Sequence, residues 1–167
     1  MRRTKATTRS IWLLAGLPLA LAGQQASPDE VQLRQRIAAH QVASEHGDLR
    51  GLVDLYASDA QTVSSSGQVT RGRDEIEASY RAQLATPATR SGRHHTHPPE
   101  SIRIEFVTPE VAVVEVASVN VGGTDGTGKA LADAPVQLIT VWRKRAGEWL
   151  VVYQRTVPAR SPSAPAA

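Results

Sequence analysis

The stretch RHHTHPP, Arg93 to Pro99, places three of the chain's five histidines within four positions, at His94, His95 and His97. Imidazole is the side chain that changes charge nearest neutral pH, and its nitrogens serve as acid, base or metal ligand. In an extended segment successive side chains alternate, so His95 and His97 share one side and His94 takes the other. An H-x-H pair on a strand can chelate zinc or copper, but a catalytic zinc takes three protein ligands and keeps an open position. The chain has no cysteine, no HExxH pattern and no Asp/Glu cluster beside the pair. His40 and His46 lie six apart and do not share a helix face. No metal site is expected. His95 is carried forward as an acid–base candidate, and His95 with His97 as polar groups at a pocket mouth.

Glu115 stands inside VAVVEVASV, a carboxylate within an otherwise apolar strand. If it faces a cavity, desolvation raises its pKa and suits it to proton transfer. If it faces outward, it is an ordinary charge opposite Arg103 or Arg143 on a neighbouring strand. Gln137, Tyr153 and Gln154 offer hydrogen bonds to a ligand, with Tyr153 preferred over Gln154 because its face is bulkier and more aromatic. By strict alternation Tyr153 shares a face with Trp149 and Val151, while Gln154 takes the other. Trp142 and Trp149 flank the last turn and are expected to pair across it as core, with Trp142 also a candidate to line a ligand. GGTDGTGKA, Gly122 to Ala130, nearly matches the phosphate-binding G-x-x-x-x-G-K-[ST]. Ala130 replaces the hydroxyl that holds magnesium, and no helix follows. A strand-to-strand loop is the better reading.

Composition sets the setting for these groups. The first 26 residues carry Arg2, Arg3, Lys5 and Arg9 with no acid, followed by the uncharged run IWLLAGLPLALAG and an Ala20-Leu21-Ala22 exit. This is the pattern of a secretory leader over residues 1–26, too short and too Pro-broken to span a membrane. The whole chain has 19 Lys+Arg against 16 Asp+Glu, and without the leader's four cations the balance is 15 against 16. A basic patch of the kind nucleic acid requires is therefore not expected, and neither is a nucleic-acid partner. With no cysteine, an exported protein must rely on a packed core. Residues 27–157 suffice for one domain, and the Pro/Ala/Ser-rich residues 158–167 read as a disordered tail.

Helices come first and strands after. Ser27-Pro28-Asp29-Glu30 combines a cap, a first-position proline and a capping box, opening a helix to about His46. Asp48 caps a second helix, LRGLVDLY. QTVSSSGQVTRG reads as a small hairpin. Gly72 precedes a third helix with Ile76, Tyr80 and Leu84 at i, i+4, i+8. SIRIEFV, VAVVEVASVNV, PVQLITVWRKR and EWLVVYQRTV read as four strands of a mostly antiparallel meander. Helices covering one face of such a sheet make an α+β fold.

The phrases GDLRGLVDLYASDA, SSSGQVTRGRDEI and LITVWRKRAGEWLVVYQRT, in this order, resemble the NTF2-like (SnoaL-like) superfamily, and in particular its bacterial DUF4440 or SgcJ/EcaC-like branch. The resemblance covers about Pro28 to Val157. It implies a cone-shaped α+β fold with a cavity between three helices and a strongly curved sheet, and a homodimer formed through the outer sheet face. It also implies that tyrosines and acids reaching into the cone do the chemistry where there is any. Tyr56, Glu115 and His95 are the candidates. The ketosteroid isomerase layout cannot be aligned in full, because no second acid stands beside Glu115 in the sheet. The expected function is cofactor-free binding of a small, largely apolar molecule. An acid–base isomerase or dehydratase, or an accessory module with a filled cavity, are the alternatives, because this fold hosts all three.

Overall fold

Ser27 starts the first helix by accepting a hydrogen bond from the Glu30 amide at 3.1 Å, with Pro28 in the first helical turn. The structure is a computed structural model that describes residues 26–159. The leader expected over 1–26 lies almost wholly outside these residues, as does the tail from 160 onward. Helix α1 spans Pro28–His46 and ends on Gly47, whose φ of 65° suits a residue without Cβ. Its buried stripe is Leu33, Ile37, His40 and Ala43, the spacing of one helical face.

Asp48 caps α2, Leu49–Val53, by accepting from the Arg50 amide. This helix is shorter than expected. Tyr56 does not close it but opens strand β1, Tyr56–Val63, pairing in parallel with Val151 of the last strand. Burial of Tyr56, Ala57 and Ala60 against the core outweighs one more exposed turn of helix. The expected hairpin continues into β2, Val69–Arg71. Gly72 then leads into α3, Arg73–Leu84, with φ 78° and ψ 152°. A Cβ there would meet only the Ser58 carbonyl, at an ordinary 3.5 Å, so the backbone conformation and not space requires glycine.

A short helix α4, Pro87–Arg90, and a short strand β3, His94–Thr96, follow. After a single 3-10 turn at Pro99–Ser101 come β4, Ile102–Thr108, β5, Val111–Val121, β6, Ala134–Arg145, and β7, Glu148–Pro158. The four expected long strands are all present. Sheet order is β2-β1-β7-β6-β5-β3, with β4 on the same side of β5 as β3, further along it. Only β1 and β7 run parallel, so the sheet is mixed and mostly antiparallel.

Along β5, Ala112, Val114, Val116 and Ser118 are buried while the residues between them are not. That alternation assigns the inner face of the whole sheet through its register. Inner residues join Leu33, Ile37 and Ile76 of the helices with Trp142, Trp149 and Val151 in one core. Trp142 and Trp149 do not pair across the turn as expected: Trp142 lies opposite Val151, and Trp149 opposite Lys144. Trp149 instead meets Phe106 edge-on at 5.8 Å and donates its indole N–H to Asp29 at 3.1 Å. Asp29 also accepts from Lys144 Nζ at 2.6 Å. The two hydrogen bonds hold its carboxyl below the usual range and tie the start of α1 to the β6–β7 hairpin.

That hairpin turns on Ala146 and Gly147, with φ of 50° and 85°. Both central residues therefore have the positive φ of a type I′ turn, which alanine resists. Ala146→Gly should raise unfolding stability by about 0.5–1 kcal/mol, read as a higher urea midpoint at unchanged slope. A lowered midpoint would refute the account of this turn.

Candidate functional site

Between the inner face and the helices lies a partly open cavity of about 270 Å³ lined by His40 and Ser44 of α1, Tyr80 of α3, His95 of β3, Asn120 of β5 and Gln154 of β7. Smaller spaces of about 130 and 30 Å³ share Gln154 with it. A wider groove of about 550 Å³ lies between α1 and α2, but it is more open to solvent.

At the centre of the cone four side chains form one hydrogen-bonded chain. Tyr56 has no exposed surface, and its hydroxyl donates to Gln154 Oε1 at 2.7 Å. Having spent its one proton, that oxygen accepts from the Tyr80 hydroxyl at 2.9 Å. Tyr80 in turn can accept from His40 Nε2, a longer contact of 3.4 Å. The polarity therefore runs His40 → Tyr80 → Tyr56 → Gln154, and it leaves the Gln154 amide N–H groups toward the cavity. Arg73 locks this chain to the frame by donating from Nε to the Tyr56 carbonyl at 2.8 Å. Burial raises the pKa of both tyrosines, aided at Tyr56 by the neighbouring Tyr80. Both stay protonated donors.

The second cluster is imidazole. The His40 and His95 rings lie 5.2 Å apart, and His95 and His97 are near-parallel at 6.3 Å. His95 Nδ1 meets the Ser44 hydroxyl at 3.0 Å, while His95 Nε2 and His97 Nδ1 are buried without a hydrogen-bond partner among the described residues. Burial pushes His40 down to about 3 and His95 down to about 4, with neighbouring imidazoles adding to the effect. Burial likewise lowers His97, opposed by the Glu45 carboxylate. All three are neutral near pH 7. Among the described residues no group of three or more His, Asp or Glu is arranged to hold a metal.

A family model described as a SnoaL-like domain matches residues 25–155. The chain belongs to the SnoaL-like domain family, within the NTF2-like superfamily. Solved structures agree on the fold. A cystatin-like-fold protein from Caulobacter vibrioides is 18% identical, with 78% of this chain and 89% of that one covered at a TM-score of 0.67. An NTF2-like protein from Novosphingobium aromaticivorans is 19% identical over 81% of this chain and 84% of its own, also at 0.67. A candidate dehydratase of the NTF2-like family from Streptomyces avermitilis is 19% identical over 81% of this chain and all of its own, at 0.65. No curated protein matches the sequence.

Within this SnoaL-like cone the expected residues divide. Tyr56 and His95 reach the interior, and His97 is buried beside the 30 Å³ space. His94 takes the other side of β3, as alternation requires, and borders the cavity with its Nδ1 against the Gly92 carbonyl at 2.9 Å. Trp142 is core, donating to Thr140 at 2.8 Å, with one edge on the innermost space. Glu115 is corrected: it pairs with Ile139 and Arg103 on the outer face, where Gln137 donates to it at 3.3 Å. Glu115 and Gln137 thus leave the cavity together. Tyr153 is corrected as well. Trp142 pairs with Val151 but Val141 with Tyr153, so β7 carries one extra residue, Val152. That bulge inverts the alternation beyond it, sending Tyr153 outward and Gln154 inward. Asp59, in the GDLRGLVDLYASDA stretch, is held on Arg145 by two bonds of 2.9 Å.

Sequence reasoning missed His40, Tyr80 and Ser44 as site residues, and it set Gln154 aside in favour of Tyr153. Tyr80 was visible on the apolar stripe of α3, and His40 stands seven residues after Leu33 on that of α1. A polar residue on each stripe was the available signal. Nothing local announced the bulge that turns Gln154 inward.

The depressed imidazoles predict a pH profile. In the unfolded chain they return to the ordinary 6.5, so below that pH the unfolded state binds more protons than the folded one. Stability is therefore complete above pH 6.5 and falls as pH drops from there toward the folded values. Between pH 7 and 5 the loss should be on the order of 1–2 kcal/mol per buried imidazole. His40→Gln should flatten the slope in urea titrations across this range; an unchanged slope would show that His40 is not held neutral.

Proposed function

We propose that the protein binds a small, uncofactored organic molecule inside its cone. The observation that carries this reading is the partly open 270 Å³ cavity with a complete hydrogen-bonded chain at its floor. That volume lies just below the usual span of small-molecule sites, about 300–1,000 Å³, and so suits a small ligand. Its lining is richer in hydroxyl, amide and imidazole groups than a largely apolar ligand needs. The ligand therefore carries hydrogen-bonding groups alongside a hydrocarbon part that meets Leu52, Leu84, Val136 and Leu138.

The acid–base alternative keeps one supporting observation, the unpartnered buried Nε2 of His95. Against it, no carboxylate lines the cavity, and an imidazole pushed down to about 4 is a weak base for proton abstraction. Tyr56 spends its proton on Gln154 and has none to offer a substrate carbonyl. An accessory module with a filled cone is disfavoured by the cavity itself. The reading includes export through the leader and a homodimer through the outer sheet face, as the sequence resemblance implies.

Native mass spectrometry of protein from its own host tests these points together. We expect a co-purified small molecule, a mature N-terminus between Gly23 and Ser27, and two subunits. An intact Met1 would refute export, and a monomer the dimer. Gln154→Leu should then weaken the recovered ligand at least tenfold in a titration; equal affinity would place the ligand elsewhere.

A further inference from the structure

Among the described residues, Arg93 is the only one lining the cavity that carries a permanent charge, and no acid lines it or either of the two smaller spaces that share Gln154. Its placement is built. Nη1 donates to the Gly122 carbonyl at 3.1 Å and to the Ala132 carbonyl at 3.0 Å, so both ends of the β5–β6 loop hold one corner of the guanidinium. The loop fits closely around the arginine's backbone. A Cβ on Gly123 would come within 2.8 Å of Arg93 Cβ and 2.7 Å of the Ala88 carbonyl, and one on Gly122 within 2.8 Å of the Gly92 carbonyl. Gly123, the first glycine of the near match to a phosphate loop, and Gly122 before it thus serve to seat Arg93.

Two backbone carbonyls orient the guanidinium without neutralising it. Its Nε and Nη2 have no acceptor or carboxylate partner among the described residues. A guanidinium offers five N–H donors in a planar fork that matches a carboxylate. One fork corner is occupied and the others are free at the cavity's edge. The rest of the chamber's polar lining, including Gln154 and the buried His95 Nε2, is neutral.

We propose that the ligand is a small organic carboxylate, its anion on Arg93 and its remaining body directed toward Gln154 and His95. This rests on the cavity being a binding site. A single positive charge suits a monoanion; a phosphate dianion would remain half uncompensated in this chamber.

Matched probes test it in the full folded protein: benzoate against benzamide, and hexanoate against hexanamide, titrated by ligand-observed NMR. Each pair keeps its shape and differs in charge. We expect the acid of at least one pair to bind at least tenfold more tightly than its amide. Arg93→Gln should abolish that preference, and Arg93→Lys should retain part of it, having kept the charge and lost the fork. If Arg93 only clamps the loop, Arg93→Gln will weaken acid and amide alike, and the proposal fails. If the amides bind as tightly as the acids to the unmodified protein, the charge assignment fails while cavity binding stands. If no probe binds, both fall.

Discussion

A buried hydroxyl must find a partner, and Tyr56 has to find its partners inside the protein because it reaches no solvent. Leaving such a group unpaired costs about 1–3 kcal/mol, a large part of a domain's net stability. Tyr56 meets this demand with Gln154 on β7 and Tyr80 on α3, and Tyr80 extends the chain to His40 on α1. One satisfied network therefore ties both long helices to adjacent strands β1 and β7. It also leaves the cone open. Apolar side chains in the same places would collapse into the space, whereas a chain of fixed donors and acceptors holds the walls at hydrogen-bonding distance.

The network exists only because β7 breaks its own alternation. Above Val152 the inward residues are Trp149 and Val151, which belong to the core; beyond it they are Gln154 and Thr156, which belong to the cavity. A single extra residue marks the boundary between packing and binding along one strand. β1 shifts register opposite the same region, between Tyr56 and Gln61. The irregularity thus crosses two strands, and bulges commonly re-aim side chains near sites in this way.

This explains why the fold was legible and the site only partly so. Capping at Ser27, the stripe Ile76–Tyr80–Leu84 and four β-branched runs are local signals, and each produced the element it announces. The face of Glu115 is a different kind of fact. It depends on which side of β5 the helices cover, and no residue near Glu115 records that. His95 and His97 were assigned correctly to one side because their alternation spans only three residues with no bulge between them. Tyr153 and Gln154 were exchanged because the alternation was carried across Val152. Strand parity is reliable only as far as the next irregularity, and β-bulges leave weaker marks in sequence than turns do.

The histidines carry the argument one step further. Three neutral imidazoles within a few ångströms, two of them with a buried unpaired nitrogen, weaken the fold if nothing ever meets them. Hydrocarbon of similar volume would remove the cost of the unpaired groups and strengthen the core. A site is where a protein breaks such local rules and sustains the loss elsewhere. The rest of the cone supplies the compensation in the Asp29–Lys144–Trp149 tie and the closely packed Trp142, Trp149 and Val114 core. Both lie toward the β6–β7 hairpin, away from the cavity. RHHTHPP lacks the ligands of a metal motif, and its first residue proves as informative as its histidines. Arg93 supplies charge at the edge of the cone, and His95, two residues on, supplies an unmet hydrogen-bonding atom within it.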